Sequence, residues 1–249
     1  MKNLYIVGSG IKTLSNFTKE FETCATQSDI VFYLNNDPVT KEWYQKYAKK
    51  SYDLDAIYQK DKQTHRSNIY HAIAEHIINE FEHYDNICFA LYGHPFFCAQ
   101  PALHAIEKIA NERKDITIYN FPAVSALDCL WTDLKVNPAE NGMQLYEASF
   151  MIYRKIPLLT QVDLVILQAG LIDIDTIYTG KEKSSVDKLI SYLLQFYNKT
   201  HPITIYEAAQ FPSQEPKIIN TNLENIKASE VSTLTTLYIP CEKRKNDDI

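Results

Sequence analysis

Glycine is scarce in this chain, 6 residues in 249, and no stretch of glycine, serine or proline reads as a flexible linker. No apolar run approaches ~18 residues, so no membrane-spanning helix is expected. Met1-Lys2-Asn3 passes straight into a strand-like segment, without the apolar core of a signal peptide. Basic charge is also short. The formal net charge of -6 argues against a nucleic-acid partner, because neutralising phosphates needs a basic surface. The two basic clusters, Lys60 to Arg66 and the tail Lys243-Arg244-Lys245, read as solvated segments. The five cysteines (Cys24, Cys88, Cys98, Cys129, Cys241) form an odd set with no C-x-x-C. Most lie in apolar surroundings, which suits reduced, buried thiols in the cytoplasm. No H-E-x-x-H occurs among the histidines, and His71 and His76, either side of Glu75, fall on different helix faces; no metal site is expected.

Hydrophobic residues make up 45% of the chain, enough to bury a core in one large domain or two lobes of roughly 120 residues. The scarce glycines have a pattern. Gly8, Gly10, Gly93 and Gly170 each closely follow an apolar run (LYIV, FALY, LVILQA). Glycine placed at strand ends and avoided elsewhere reports positive φ or close backbone approach, although ordinary strand-to-helix turns also favour it. The most informative stretch is 86–110. Its apolar run ends at Tyr92, stops at Gly93-His94-Pro95, and restarts after Pro101 with helical spacing at Leu103, Ile106 and Ile109. That is strand, sharp loop, helix, and in open α/β sheets the crevice beyond the strands' carboxyl ends is where small molecules bind.

Strands are expected at 3–8, 29–34, 86–92 and 115–120, and helices at 14–25, 38–49 (opened by Asp37-Pro38), 65–82 and 101–113, with a polar loop over 51–64. Such alternation implies a parallel sheet covered on both faces. From Ser125 the pattern shifts to a helix at 125–134, strands at 143–149 and 162–168, a helix at 184–198, and strands at 202–208, 216–220 and 231–239. The expectation is an α/β chain of two lobes, 1–121 and 122–249, with a mostly parallel first sheet and a mixed second one.

Gly8-Ser9-Gly10 is a poor dinucleotide fingerprint, since position 13 is Thr and the second strand ends Tyr33-Leu34-Asn35-Asn36 without an acidic residue. Helical spacing puts Arg66 and Tyr70 at the N-terminal end of a face that continues as core through Ile73, Ile77 and Phe81. Tyr58 precedes them and Tyr92 ends the following strand. A guanidinium near the interior needs a partner: either it faces the crevice among phenols, or it pairs with a surface carboxylate such as Asp61. Ser125 reads as a helix N-cap, which also allows it to present a hydroxyl to a ligand; no G-x-S-x-G surrounds it. Gln168 ends a buried strand just before Gly170.

Taken in order, LYIVGSG (4–10), DPVT (37–40), LYGHPFFCAQP (91–101), FPAVSALDCLWTDLKVNP (121–138), LYEAS (145–149), LVILQAG (164–170), IYEAAQFP (205–212) and TTLYIP (235–240) resemble the tetrapyrrole methylase superfamily. More narrowly they resemble the borosin-type peptide α-N-methyltransferases. In the broader superfamily the loop usually reads Gly-Asp-Pro, and His94 follows the borosin pattern. The resemblance implies a two-lobed fold with S-adenosyl-L-methionine held between the lobes, a homodimer, and no metal. It places Gly10, Tyr92, His94, Phe97, Cys98, Ser125 and Gln168 on the cofactor, with Ala208, Thr235 and Thr236 lining its adenosine. The family's catalytic residues fall on Tyr58, Arg66, Tyr70 and Tyr92; the preceding loop differs in length from the fungal pattern, and Tyr58 rather than Tyr52 is taken. Phe96 stands where the fungal loop has Gly.

The residue types suit amide methylation. An amide nitrogen is a poor nucleophile because its lone pair is delocalised, the resonance that gives a rotation barrier of ~18–20 kcal/mol. Arg66 near the amide oxygen would stabilise the imidate-like charge as the proton leaves. Tyr70 and Tyr58 would align the amide or accept its proton, and Tyr92 would position the methyl donor. Ile249 follows soon after the last strand-like segment, whereas the fungal enzymes continue into their own substrate. The expected partner is therefore a separate precursor protein that docks and threads its core peptide, giving a heterotetramer with the homodimer. A small-molecule methyltransferase acting on a corrin or porphyrin precursor, and a cofactor-binding regulator, are the competing expectations.

Overall fold

A computed structural model describes residues 1–58, 65–174 and 185–242. It forms two compact units, Met1–Cys129 with Gln210–Gln214, and Leu130–Ala209 with Glu215–Ile249. The basic tail from Lys243, and the segment 59–64 that holds most of the other basic cluster, lie outside the described residues.

In the first unit, β1 (Lys2–Gly8), β2 (Ile30–Leu34), β3 (Ser51–Asp53), β4 (Asn86–Leu91) and β5 (Ile116–Asn120) form a parallel sheet in the order β3-β2-β4-β1-β5. The run over 86–91 is almost wholly buried because its strand is central and covered on both faces. On one face Val7, Val31, Tyr33, Cys88 and Ala90 pack against Phe21, Cys24 and Ala25 of α1 (Lys19–Gln27) and Tyr44 of α2 (Pro38–Tyr47). The alternate residues, among them Leu4, Ile6, Phe32, Ile87 and Phe89, are buried on the other face. There Phe32 meets the ring of His76 on α4 (Arg66–Asn79), which packs along α5 (Gln100–Glu112). The short α3 (Asp55–Tyr58) links β3 to the segment before α4.

Two local readings change. The first helix begins at Lys19 instead of 14, because Lys12–Asn16 closes a turn of its own: the Lys12 amide donates to Asn16 Oδ1 (2.7 Å), Leu14 has φ 57°, and Thr18 then caps the helix. The segment expected as a polar loop over 51–64 contains β3 and α3, since β2 has a free edge that Ser51–Asp53 fills in register with Val31–Tyr33.

The second unit orders its strands β6-β7-β10-β8-β9: β6 (Met143–Glu147), β7 (Asp163–Leu167), β10 (Thr236–Ile239), β8 (Pro202–Glu207) and β9 (Lys217–Asn222). β6 and β7 are parallel and the other pairings antiparallel, the mixed sheet expected. Leu164, Ile166, Ile203, Ile205 and Leu237 of the sheet form its core with Met151, Leu189 and Leu193. The helices here are α6 (Ala126–Leu134), which starts in the first unit, α7 (Pro138–Asn141), α8 (Ala148–Tyr153) and α9 (Val186–Leu193). The strand expected over 143–149 stops at Glu147, whose carboxylate accepts from the Ser149 and Phe150 amides (3.0 and 2.6 Å) and caps α8. Similarly, β10 begins only at Thr236, because the Ser232 amide donates to Thr235 Oγ1 (2.8 Å) and closes a turn before it.

Beyond the carboxyl ends of β1 and β4 the backbones bridge. The Gly10 amide donates to Gly93 O (3.2 Å) and the Gly93 amide to Gly10 O (3.0 Å), with φ of 70° and 72°. A Cβ on Gly8 would lie 2.1 Å from Gly93 O and 2.8 Å from Pro95 Cδ. Gly8→Ala is therefore expected to cost about 3 kcal/mol or more by forcing backbone apart. Gly93→Ala, whose Cβ meets only Ile11 Cδ1 at 3.4 Å, should cost about 1–2 kcal/mol for its positive φ. Equilibrium urea denaturation of the two variants checks the order.

Candidate active site

The bridge stands at the point where the chain leaves neighbouring strands toward opposite faces: β1 leads into α1 on one face and β4 leads into α5 on the other. In open α/β sheets diverging connections of this kind mark the ligand crevice. Tyr92, the first residue past β4, is held by its amide to Leu34 O (3.1 Å) and keeps 36% of its surface exposed. Burial pushes its phenol up to about 12. Tyr92 is thus protonated at neutral pH and acts as a hydrogen-bond donor.

The loop after Tyr92 is organised by His94. Its Nδ1 accepts from the Phe96 amide (3.1 Å) and its carbonyl accepts from the Phe97 amide (3.1 Å). His94, Phe96 and Phe97 are half-buried. Cys98 is exposed with φ 54°, a strained conformation for a residue other than glycine. The expectation of buried thiols therefore fails at Cys98 and holds at Cys24 and Cys88, which are buried; burial pushes the Cys24 thiol up to about 11.

Ser125 reaches this neighbourhood through the chain before it, since Ala123 Cβ lies 2.7 Å from where a Gly8 Cβ would stand. Asp128 accepts from both the amide and the hydroxyl of Ser125 (2.6 Å each), while the Asp128 amide donates to Ser125 Oγ (3.3 Å). This is a reciprocal cap of α6. The buried hydroxyl has its hydrogen committed to Asp128, so toward a ligand it can only accept.

Arg66 opens α4 and Tyr70 follows one turn later, both half-buried. Tyr70 packs against His104 of α5 (5.9 Å between rings), and His104 also meets His71 (4.4 Å). Burial and His71 hold His104 below its ordinary pKa, so it is neutral at pH 7. Tyr58 ends α3, and Asp61, the alternative partner considered for Arg66, lies outside the described residues.

The second unit groups the remaining expected residues. Gln168 has a left-handed backbone (φ 55°, ψ 36°), and the Ala169 amide donates to Thr235 O (3.3 Å). A Cβ on Gly170 would lie 2.0 Å from Ser232 O. Thr235 is buried and its hydroxyl hydrogen is committed: it donates to Glu207 Oε1 (2.6 Å), while the oxygen accepts from the Ser232 amide (2.8 Å). Glu207 Oε1 also takes Ser232 Oγ (2.8 Å) and Lys217 Nζ (2.9 Å). Burial raises its pKa, and these donors together hold it below the usual carboxylate range. Thr236 pairs with Tyr206, and Ala208 follows β8. Sequence reasoning missed Glu207 and His104; the Tyr-Glu-Ala tripeptide at 206–208 was the only signal for the first. Among the described residues, no group of three or more His, Cys, Asp or Glu side chains is placed to hold a metal ion, and no helix is long and apolar enough to cross a membrane.

The family model of tetrapyrrole (corrin/porphyrin) methylases matches residues 3–227. The chain is 31% identical over 244 residues to a methyltransferase/ribosomally synthesized type I borosin cyclic peptide precursor of Coprinopsis marcescibilis, covering 95% of this chain and 61% of that protein. It is 29% identical over 252 residues to the methyltransferase/lentinulin A precursor of Lentinula edodes, covering 99% and 60%. It thus spans about three-fifths of the length of these relatives. In fold it is similar to the methyltransferase CobJ, with a TM-score of 0.64 at 10% identity over 97% of this chain and 95% of that one.

Ser125→Ala removes the hydroxyl half of the α6 cap. A loss of about 1 kcal/mol in stability is expected by urea denaturation, while Ser125→Asn, which retains a capping oxygen, should recover most of it.

Proposed function

The chain belongs to the tetrapyrrole (corrin/porphyrin) methylase family, and on that premise we propose that it transfers methyl groups from S-adenosyl-L-methionine to backbone amide nitrogens of a peptide. The observation that carries this reading is its near full-length similarity to proteins named as methyltransferase and borosin peptide precursor in one. In the relatives the two are joined; for this chain we propose a precursor supplied as a separate protein, with a homodimer as the working enzyme in the cytoplasm.

The residues at the crevice fit such a cofactor. Its wall at the ends of β1 and β4 is glycine backbone, and Tyr92 offers a protonated phenol there as a donor to a carboxylate or ring nitrogen. We assign the loop 92–98 and Ser125 to the cofactor's methionine end, and Gln168, Ala208, Thr235 and Thr236 to its adenosine. With its hydroxyl hydrogen committed to Glu207, Thr235 contributes backbone, shape and at most an acceptor. When bound, the cofactor supplies an electrophilic methyl on a sulfonium. Arg66 stabilises negative charge on the amide oxygen as the N–H proton passes to Tyr70, directly or through a water, and the nitrogen takes the methyl with release of S-adenosylhomocysteine; its permanent charge suits that task. Tyr70, backed by His104, aligns the amide. Tyr92 stays protonated below about pH 12, so it positions and does not serve as the base.

The test incubates the enzyme with S-adenosyl-L-methionine and a precursor encoded beside it, a small helical protein with an apolar tail, and follows mass steps of one CH₂ localised to backbone amides. Arg66→Ala should lower the rate by about 10²-fold or more, and Tyr70→Phe by about 10-fold. Both should bind S-adenosylhomocysteine within about twofold of wild type, since neither residue is assigned to the cofactor. Methylation of a porphyrin or corrin precursor, with no mass added to the peptide, would establish the small-molecule reading instead.

A further inference from the structure

Two contacts one turn apart set α4 and α5 side by side. His71 meets the ring of His104 (4.4 Å between centroids, 70° between planes), and four residues further along both helices Lys108 reaches Glu75 (3.4 Å). The helices therefore run parallel and in register. Tyr70 is the fifth residue of α4 and His104 the fifth of α5, so the register brings their rings to one height, 5.9 Å apart. The loop 92–98 leads into α5. His104 thus ties the proposed cofactor loop to the residue proposed to take the amide proton.

The pocket suits an uncharged ring. His104 is half-buried, and its Nδ1 is enclosed without a hydrogen-bond partner among the described residues. A neutral imidazole can leave that nitrogen as a bare lone pair, whereas an imidazolium carries a hydrogen on both nitrogens and requires an acceptor for each. Tyr70 and His71 face the ring from α4, with Glu75 taken up by Lys108, and Glu107 and Lys108 flank it on α5. Burial and His71 outweigh the pull of Glu107 toward the charged form.

We propose that His104 is a positioning residue for Tyr70: its ring, in contact with both Tyr70 and His71, holds the phenol where it takes the amide proton, and does so only as the uncharged imidazole. A charged His104 has to turn toward water to satisfy Nδ1, and its contact with Tyr70 is lost. His104 is neutral above its lowered pKa, so the support is present above that pH and disappears as pH falls through it. The role rests on the proposed reaction at Tyr70, and nothing in the family resemblance above assigns position 104.

One part of the test needs no substrate. A fluorinated tyrosine at position 70 of the full chain is followed by fluorine NMR from about pH 7.5 down to about pH 5, below the range in which the phenol itself titrates. Its signal should move with the midpoint of His104, read from the imidazole's carbon-bound protons, and that midpoint should lie below the ordinary histidine value. His104→Phe, which keeps a ring and cannot charge, should abolish the movement. Movement that persists in His104→Phe, or a His104 midpoint at or above the ordinary value, overturns the proposal. The second part measures precursor methylation. His104→Ala should lower kcat about fivefold, leave S-adenosylhomocysteine affinity within about twofold, and cost less than about twofold in the Tyr70→Phe background. His104→Phe should stay within about threefold of wild type at about pH 8 and lose the acid limb of the pH profile. Equal losses in both backgrounds, or an acid limb unchanged in His104→Phe, overturn the proposal. A fluorine signal that follows His104 while no form, wild type included, methylates the precursor supports the pair and overturns the proposed function.

Discussion

The Gly10–Gly93 bridge is the constraint on which the first unit's site depends. Two strands of a parallel sheet normally part beyond their carboxyl ends, because their connections turn to opposite faces. Here the two chains stay joined by reciprocal backbone hydrogen bonds, both glycines at positive φ. Gly8 lies so close below that Gly93 O occupies the place of a side chain. Tyr92, the His94 turn, Thr13 and, through Ala123, the segment leading to Ser125 all take their positions from that junction.

A second regularity follows from the hydrogen bonds. Several polar side chains expected to face a ligand are used to hold the protein's own loops: His94 Nδ1 accepts the Phe96 amide, Ser125 and Asp128 cap each other, and Thr235 is divided between Glu207 and Ser232. Such residues define the shape and rigidity of the loops they hold. Prefixing polar groups in this way lowers the ordering cost of binding.

The scarcity of glycine made positive φ and close backbone approach at strand ends legible in the sequence, because four of the six mark those ends; that Gly10 pairs with Gly93 was not. Alternating apolar runs gave the parallel first sheet and the mixed second one, and Asp37-Pro38 gave the start of α2. What the sequence concealed was of two kinds. Short-range competition moved element ends: Asn16 closed a turn that delayed α1, and Glu147 ended β6 by capping α8. Long-range pairing was invisible, as with the Thr13 amide on the Gln210 carbonyl, or Ser51–Asp53 completing the edge of β2. The tripeptide Tyr-Glu-Ala occurs twice and shows the difference. Glu147 caps a helix that follows it, which local pattern can suggest; Glu207 gathers Thr235, Ser232 and Lys217 from later in the chain, which it cannot.

The central claim is that the junction of β1 and β4 is a methyl-donor crevice. Amide hydrogen exchange by mass spectrometry, with and without S-adenosylhomocysteine, addresses it without any knowledge of the acceptor. The account predicts slowed exchange across residues 92–98 on adding the ligand, with the buried amides of β4 already protected in both states. Ligand binding that leaves 92–98 exchanging at its free rate would contradict it.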